Sequence, residues 1–448
     1  TSASRSSRDP KLPEIATPRA HTHALAQMST TSTSAASALP HLILHFDVNE
    51  TILMGDPAGG DTYMDCIHKS LAKCAFCKAD GPLGKNGATA TTPTVWHDGT
   101  PIGELPTAPP PLKPEWTFDT PAGVAAFYKQ PALKRKHLKT FCDAGSPGAI
   151  YAAERARCRA ALGWPHAPHP ALSMEEDGGA VGVLLPAFYQ TLDGLRRSGR
   201  RFSIVLRTFG TDLPRVAAAI NAYAAGEHPD YPEGAPDLAL PPQRMWKGRY
   251  DEGSGRFALS PHDDGNGAPS ITDEREAVAA LSEHGVSGVM DDYKYWASHD
   301  NDPACGKPLW LTLGDASTYQ LFFDDNIQCA AAAPPDAHVC RSERLPALRV
   351  RRSNDAKDSI VSVRARRDDT SPAFAPLSGA QICALHGAAV RRVPTILPVL
   401  DTGWFLAEVE RCEARLAELR GSPLWAELCA ASGGDAETDE PPAKRQAK

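Results

Sequence analysis

Residues 41–51 read His41-Leu-Ile-Leu-His-Phe-Asp47-Val-Asn49-Glu-Thr51, and this stretch sets the expected fold class of the chain. The six residues before Asp47 are mostly apolar, which is typical of a short strand that is buried on both faces. Polar side chains follow where that strand ends. Because open parallel sheets bind their ligands beyond the carboxyl ends of the strands, we expect Asp47 to lie at a chemically active position.

Three further short apolar runs have the same form, and helical patterns lie between them. The runs span residues 202–206, 309–313 and 319–323; the first continues into Arg207-Thr208 and the last into Asp324-Asp325. Periodicity and capping residues predict helices over 186–198, 211–225, 272–284 and 401–420, and a β-hairpin over 245–259. This alternation of helices and strands predicts an α/β fold with a parallel sheet.

The composition is that of an ordinary globular protein, with 42% hydrophobic and 23% charged residues among 448. The formal net charge of −7 argues against a protein that coats nucleic acid, so nucleic acid is not an expected partner. No apolar run approaches the ~18 residues of a membrane-spanning helix, so no membrane association is expected. The eleven cysteines show no disulfide-like ladder of spacings, which favours reduced thiols and a cytoplasmic location.

The two ends of the chain are polar and lack apolar periodicity. Residues 1–40 are rich in Ser, Thr and Ala, which predicts disorder; a segment that targets the chain to an organelle is the alternative. Residues 431–448 form a second polar tail, also expected to be disordered. Between these tails we expect one α/β domain over 41–430, with cap-like insertions at about 55–185 and 227–270.

The polar residues that follow the predicted strands form a set that suits attack on phosphorus. Asp47 offers a carboxylate nucleophile, Thr208 a hydroxyl donor, and Asp324-Asp325 an acidic pair. Carboxylate oxygens hold a hard cation such as Mg²⁺, and hydrogen-bond donors hold a phosphate. In their order and strand context these residues resemble the motifs of the haloacid dehalogenase (HAD)-like superfamily, whose members are mostly phosphatases.

The resemblance implies a Rossmann-like three-layer sandwich with large insertions after the first and second motifs. It also implies that Asp47 is the nucleophile, acting through an aspartyl-phosphate. The implied Mg²⁺ ligands are Asp47, the backbone carbonyl of Asn49, Asp324 and Asp325. The expected partner is a phosphorylated small molecule or a phosphoprotein; the sequence does not indicate which, and it does not indicate the oligomeric state.

By the same resemblance, Thr208 hydrogen-bonds the transferring phosphoryl group, with help from the amides of Phe209 and Gly210. The third motif of the family is a lysine that shields the nucleophile from the charge of the phosphate. Lys307 lies 17 residues before Asp324, directly ahead of a predicted strand, and is the favoured candidate. Lys294 is the alternative.

Asn49 is a departure from the family pattern, which has Asp two residues after the nucleophile as general acid and base. An amide cannot shuttle a proton. The sequence therefore leaves two functions open: a working phosphatase or phosphotransferase, and a catalytically degenerate protein with a binding or regulatory role. Glu50 is adjacent, but in an extended segment its side chain points the other way.

The run Asp291-Asp-Tyr-Lys-Tyr-Trp296 mixes acids with aromatic residues in an unusual way. Two interpretations fit it: the run lines a substrate pocket, or it packs a helix against the sheet with its acids in solvent.

Overall fold

A computed structural model describes residues 39–430, except for a set of gaps. The gaps are 57–58, 80, 82, 84–87, 107, 118–119, 131–137, 177, 253–254, 264–268, 300–304, 314–316, 327, 330–341, 345–346, 353–360, 363–383 and 386. The predicted disordered segments at 1–40 and 431–448 lie outside the described residues, apart from residues 39 and 40.

Strands are distributed along the whole described chain. They are β1 (His41–Asp47), β2 (Phe76–Lys78), β3 (Val124–Ala126), β4 (Ser173–Glu176), β5 (Gly179–Gly182), β6 (Phe202–Thr208), β7 (Met245–Tyr250), β8 (Phe257–Pro261), β9 (Gly285–Met290), β10 (Pro308–Leu313), β11 (Thr318–Asp324), β12 (Gln328–Cys329), β13 (Ser342–Arg344), β14 (Ala347–Arg352), β15 (Val361–Ser362) and β16 (Val390–Arg392).

Helices lie between these strands and after the last of them. The α-helices are α1 (Tyr63–Cys74), α2 (Ala152–Ala161), α3 (Pro186–Arg197), α4 (Leu213–Ala224), α5 (Glu274–Ser282), α6 (Tyr293–Ser298), α7 (Ile396–Leu400), α8 (Trp404–Arg420) and α9 (Pro423–Ala430). Short 3-10 helices span Pro114–Thr117, Phe127–Lys129, Ala149–Tyr151, Pro236–Leu238 and Pro242–Arg244.

The central sheet has seven strands in the order β16-β11-β1-β6-β9-β7-β8. All neighbours are parallel except β7 and β8, which form an antiparallel hairpin. Asp47 is in register with Arg207, and Asp324 with Arg392, so the carboxyl ends of β1, β6 and β11 lie along one edge. The predicted α/β fold with a mostly parallel sheet is confirmed.

The chain changes direction across the sheet at β1. From β1 it builds β6, β7, β8 and β9 on one side, and it then crosses to β11 and β16 on the other. Ligands of open α/β sheets bind in the crevice at such a switch point, beyond the carboxyl ends of the strands. The crevice here lies between the ends of β1 and β11.

An aromatic cluster fixes β1 against the helices. Phe46 is fully buried, and its ring lies 5.0 Å from Phe323, 5.3 Å from Phe188 and 5.2 Å from Phe405. These partners come from β11, α3 and α8, so the residue beside Asp47 ties three elements to the centre of the sheet.

The strand that completes the centre of the sheet is β9, which carries no strong apolar pattern. Close packing explains the glycine at position 288 of β9, because a Cβ there would lie 2.5 Å from the Leu213 side chain on α4. The predicted run at 309–313 is a strand, β10, but it is not in the central sheet. It pairs instead with β14, in a separate sheet with β15.

The predicted hairpin and helices lie close to their expected positions. β7 and β8 form the hairpin, and it extends the central sheet beside β9. The helix predicted over 211–225 begins at Leu213 after the N-cap residue Asp212, and the helix predicted over 401–420 begins at Trp404.

Many described residues between 55 and 185 pack in a second hydrophobic core, to which Ile396 and Val399 of α7 also belong. Trp96 is fully buried at its centre, with ring centroids of Phe127, Tyr151 and Phe141 at 5.0, 5.6 and 6.5 Å. Residues of α1 belong to the same core. This core holds α1 in place, and Lys73 of α1 reaches Asp325 at the edge of the central sheet.

Two further expectations concern membranes and thiols. In the described part of the chain, no helix is long and apolar enough to cross a membrane. The seven described cysteines that are free thiols are all buried.

Replacing Phe46 tests the aromatic cluster. We expect Phe46→Ala to lower the free energy of unfolding by about 3–5 kcal/mol, because it removes a fully buried ring and leaves a cavity. Denaturant-induced unfolding measures this change. Leu105→Ala is the control, since Leu105 is 74% exposed and should change stability by less than about 0.5 kcal/mol. Equal effects of the two substitutions would contradict the assigned packing.

Candidate active site

Three carboxylates meet at the switch point. Asp47 ends β1, Asp324 ends β11, and Asp325 follows directly. All three side chains are buried, and one oxygen from each lies within 4.8 Å of the others. The sequence-predicted acidic residues are thus brought together in space.

Lys307 is the lysine that the structure places at these acids. Its Nζ contacts Asp47 Oδ1 and lies 3.1 Å from Asp324 Oδ2, and the side chain is buried just ahead of β10. Lys294, the alternative, is exposed on α6. The position of Lys307 matches the demand for a cation beside the candidate nucleophile.

Thr51 connects the two strand ends. Its hydroxyl donates to Asp47 Oδ2 at 3.3 Å and accepts a hydrogen bond from the backbone N–H of Asp325 at 3.1 Å. On the other side of the acid pair, the N–H of Asn326 donates to Asp324 Oδ1 at 2.8 Å. The carboxylates are therefore held by hydrogen bonds as well as by charge.

The Asn49 side chain uses both of its functional groups. Nδ2 donates to the Gly55 carbonyl at 3.2 Å and to Asp212 Oδ2 at 3.0 Å, and Oδ1 accepts from the Thr208 hydroxyl at 3.2 Å. An aspartate could not make the two donations. This position is therefore built for an amide. The predicted metal contact of the Asn49 carbonyl stays a prediction.

Thr208, Phe209 and Gly210 lie where β6 ends. The Thr208 hydroxyl is buried and accepts from the N–H of Gly210 at 2.9 Å, while Phe209 and Gly210 line the pocket above the acids. The predicted contact of these residues with a phosphoryl group stays a prediction.

Glu50 belongs to a second buried cluster of charges beside the three acids. Its φ of 58° places it in the left-handed region, so the segment after Asn49 is not extended. Its carboxylate pairs with Lys69 and Lys73 of α1. Lys73 also lies 2.8 Å from Asp325 Oδ2, so α1 supplies a cation to the acid cluster.

Burial and neighbouring charges shift the acidity of these groups. Burial raises the pKa of Asp47 well above its usual range, against the lowering effect of Lys307, and Asp324 and Asp325 raise it further. Burial also raises the pKa of Asp325 to about 6, although Lys73 opposes the shift. Burial acts on Glu50 in the same sense, but Lys73 and Lys69 outweigh it and lower the pKa of that carboxyl.

A pocket of about 530 Å³ opens above the acids. Its floor is polar, and one wall is aromatic, formed by Phe209, Tyr293 and Trp296. Tyr293 and Trp296 of the run at 291–296 line the pocket, while Tyr295 stacks on Tyr250 of β7 at 4.6 Å. The expectation that the acids of this run lie in solvent is wrong for Asp291, which is buried and paired with Arg207.

A fully buried ion pair supports the floor from below. The Arg207 guanidinium donates to both carboxylate oxygens of Asp291, at 3.0 and 2.5 Å, and to the Pro308 carbonyl at 2.7 Å. Its Nη1 is 3.5 Å from His45 Nδ1, and His45 Nε2 is 3.0 Å from Gln320 Oε1. Burial, followed by the charge of Arg207, lowers the pKa of His45 to about 3.

The donor set indicates what this site can hold. Three carboxylates with exclusively oxygen donors suit a hard divalent cation, and the adjoining lysine and backbone amides suit an anion. Nothing in the sequence indicates that Lys73, Asp212 or the Arg207–Asp291 pair belongs to the site, and the contact of Glu50 with the lysines of α1 is equally unexpected. The nearest to a local signal is the position of Asp212, four residues after Thr208 at the start of a helix.

Comparison with protein-family models, with curated proteins and with solved structures finds no significant match for this chain.

Acid should weaken the fold through His45. The folded-state pKa of about 3 lies below the ordinary value of 6.5, so the unfolded state takes up the proton first as the pH falls. The contribution of His45 to the free energy of unfolding is fully present above pH 6.5. It is lost at about 1.4 kcal/mol per pH unit as the pH falls towards 3. His45→Gln should remove this part of the pH dependence in denaturant unfolding. His299→Gln, at the surface, is the control; parallel profiles for all three proteins would contradict the prediction.

Proposed function

We propose that this protein is a HAD-like, Mg²⁺-dependent phosphatase or phosphotransferase that acts through an aspartyl-phosphate on Asp47. The observation that carries the proposal is the placement of Asp47 at the end of the central strand, in contact with Lys307 and within 4.8 Å of Asp324 and Asp325. A nucleophile, a cation and metal-binding oxygens are the groups this reaction requires.

The arrangement of the chain supports a Rossmann-like core of the HAD type. The mostly parallel sheet has Asp47, Thr208 and Asp324 at the ends of three adjacent strands, in the order of the first, second and fourth motifs. We place the insertions at about 55–185 and 227–270, after the first and second motifs. The first packs around Trp96, and the second contains the β7–β8 hairpin.

The reaction has two displacement steps. A carboxylate oxygen of Asp47 attacks phosphorus, an acyl-phosphate bond from Asp47 to phosphorus forms, and the bond from phosphorus to the alcohol oxygen breaks. The released alkoxide takes up a proton from solvent. A water molecule, or an acceptor alcohol in a transferase, then attacks the phosphorus and loses its proton to solvent. The bond from phosphorus to Asp47 breaks, so that inorganic phosphate or a new phosphate ester leaves and Asp47 is again a carboxylate.

The other residues hold the phosphoryl group and balance its charge. Lys307 offsets the repulsion between Asp47 and the phosphate anion. In the proposal, the Thr208 hydroxyl and the amides of Phe209 and Gly210 hydrogen-bond the phosphoryl oxygens. The substrate is a phosphorylated small molecule or a phosphoprotein.

The buried carboxylates fit Mg²⁺, which prefers oxygen ligands. Asp47, Asp324 and Asp325 would hold it, with the Asn49 carbonyl as a further ligand. When bound, the ion supplies positive charge that stabilises the phosphoryl group during transfer.

The hydrogen bonds of Asn49 favour a second candidate function. Because its amide is fixed by Thr208, Gly55 and Asp212, the position cannot deliver a proton to the leaving alcohol. A catalytically degenerate HAD-like protein, which binds a phosphorylated ligand for a binding or regulatory role, would need no proton there.

Mg²⁺ affinity should fall at acidic pH. The pKa of Asp325 is about 6 and that of Asp47 is raised, so below pH 6 the cation must displace protons to bind. We expect the association constant from titration calorimetry to fall about tenfold per pH unit for each proton displaced. Asp325→Asn should weaken binding at pH 7.5 and flatten the pH dependence. Equal wild-type affinities at pH 5 and pH 7.5 would contradict the site.

Removal of the nucleophile tests the function directly. We expect Asp47→Asn to abolish Mg²⁺-dependent release of phosphate from a panel of monoesters, because the amide cannot form the aspartyl-phosphate. Asp263→Asn is the matched control, since that side chain is 82% exposed. Beryllium fluoride with Mg²⁺ mimics the aspartyl-phosphate and should raise the melting temperature of the wild type and of Asp263→Asn, but not that of Asp47→Asn. Unchanged turnover in Asp47→Asn would refute the assignment.

Asn49→Asp separates the two candidate functions. Asp212 Oδ2 is 3.0 Å from the Asn49 amide nitrogen, so a second carboxyl group there would share a proton with it and act as an acid. In a weak phosphatase we expect kcat to rise several-fold. Asn49→Ala removes the same hydrogen bonds without supplying an acid and should give no gain. No rise in Asn49→Asp, with ligand-induced stabilisation retained, favours the binding role.

A further inference from the structure

The aromatic wall of the pocket is formed by one residue after β6 and two residues of α6. The Phe209 ring stacks on Trp296 with centroids 5.0 Å apart and planes 14° apart. Tyr293 meets Phe209 at 5.8 Å and Trp296 at 5.9 Å. The three rings thus form one continuous surface.

The position of α6 is fixed from its other side. Asp292 accepts hydrogen bonds from the N–H of Tyr295 at 3.1 Å and from the N–H of Tyr250 at 3.3 Å. Tyr295 stacks on Tyr250, whose hydroxyl donates to the Gly306 carbonyl at 2.5 Å. Because residues three apart share a helix face, Tyr293 and Trp296 are held together towards the pocket.

Tyr293 presents its ring to the pocket and to solvent. It is 53% exposed, and of the exposed large apolar side chains in the described part of the chain, it is the one that lines this pocket. A ring of a bound molecule that stacked on it would remove apolar surface from water. The exposed ring of Tyr293 therefore lies where it can contact a bound ligand.

The rings begin next to the reacting groups. Lys307 Nζ lies 5.1 Å from the centre of the Phe209 ring, and the same ammonium group contacts Asp47. When the phosphate of a substrate lies at Asp47, the alcohol part of that substrate would thus extend along the aromatic wall. A volume of about 530 Å³ is far larger than a phosphoryl group alone needs, and it lies within the range of pockets for whole small molecules.

The charges of the residues that line the pocket limit which further groups the alcohol part of the substrate can carry. Among the described lining residues the only cation is Lys307, which is already paired with two carboxylates. The acidic lining residues are Asp47, Glu50, Asp56, Asp324 and Asp325. A second anionic group on the substrate would therefore find no unpaired cation among the described lining residues.

We propose that the site takes phosphate monoesters whose alcohol carries a planar aromatic ring and no second anionic group, as in nucleoside 5′-monophosphates and simple arylmethyl phosphates. This inference rests on the proposed function. The ring stacks on Tyr293 and Trp296, and the phosphate lies at Asp47.

Adenosine 5′-monophosphate and ribose 5-phosphate form a matched test pair. Both esterify the same primary alcohol of ribose, and they differ in the base. We expect kcat/KM for the nucleotide to exceed that for ribose 5-phosphate about tenfold or more, as stacking of a base on an aromatic side chain allows. Tyr293→Ala and Trp296→Ala should bring the ratio towards one, and Tyr293→Phe should keep it. Lys294→Ala, an exposed neighbour on α6, is the control and should not alter the ratio.

The outcomes separate this inference from the proposed function. Turnover of both esters that depends on Asp47, with equal kcat/KM, would overturn the ring preference and leave the function standing. If neither these two esters nor any other ester of the panel is turned over, the proposed function fails, and binding of the two esters by titration calorimetry decides the ring preference alone. Tighter nucleotide binding that is lost in Tyr293→Ala then supports the preference, and equal binding overturns it.

A second pair of esters tests whether the site disfavours a second anionic group on the substrate. Benzyl phosphate and 4-carboxybenzyl phosphate share the ring and differ by one carboxylate. We expect a lower kcat/KM, or weaker binding if there is no turnover, for the carboxylated ester. An equal or higher value would overturn the exclusion of a second anion.

Discussion

Mutual repulsion among buried carboxylates is the constraint on which the rest of this site depends. Asp47, Asp324 and Asp325 lie within 4.8 Å of one another and away from water, where unpaired charges are costly. Two lysines offset the repulsion. Lys307 comes from the segment before β10, and Lys73 comes from α1 in the first insertion. The acid cluster is therefore stable only when distant parts of the chain are folded around the sheet.

The parallel sheet explains why these groups meet at all. Strand ends that share one edge bring together residues that are almost three hundred positions apart, and the reversal of direction at β1 opens a crevice between Asp47 and Asp324. Below that edge, the Arg207–Asp291 pair fills the interior with satisfied hydrogen bonds. Above it, the rings of α6 close one side of the pocket. The sheet positions the carboxylates, and α6 shapes one wall of the pocket above them.

The sequence predicts the parts of this arrangement that depend on short stretches of neighbouring residues. Apolar runs ending in Asp47, Thr208 and Asp324 sufficed for three central strands, and the position of Lys307 ahead of a strand sufficed to favour it over Lys294. The rest depends on tertiary packing. β9 lies close to α4 because Gly288 leaves room for Leu213, which no apolar pattern signals, and β10 has the pattern of a central strand but pairs elsewhere. The contact between Lys73 and Asp325 spans 252 positions, and no spacing rule predicts it.

Lys73 also makes the pocket and the first insertion energetically interdependent. Its ammonium group holds Asp325 and Glu50 at once, and α1 packs into the core around Trp96. A cation that draws on the Asp325 carboxylate competes with Lys73, so part of its binding free energy is transmitted to α1. Thermodynamic reciprocity then requires that a change of α1 that alters the contact between Lys73 and Asp325 also alters the affinity of the acids for a cation. Through this one ammonium group, the occupancy of the sheet edge and the packing of α1 depend on each other.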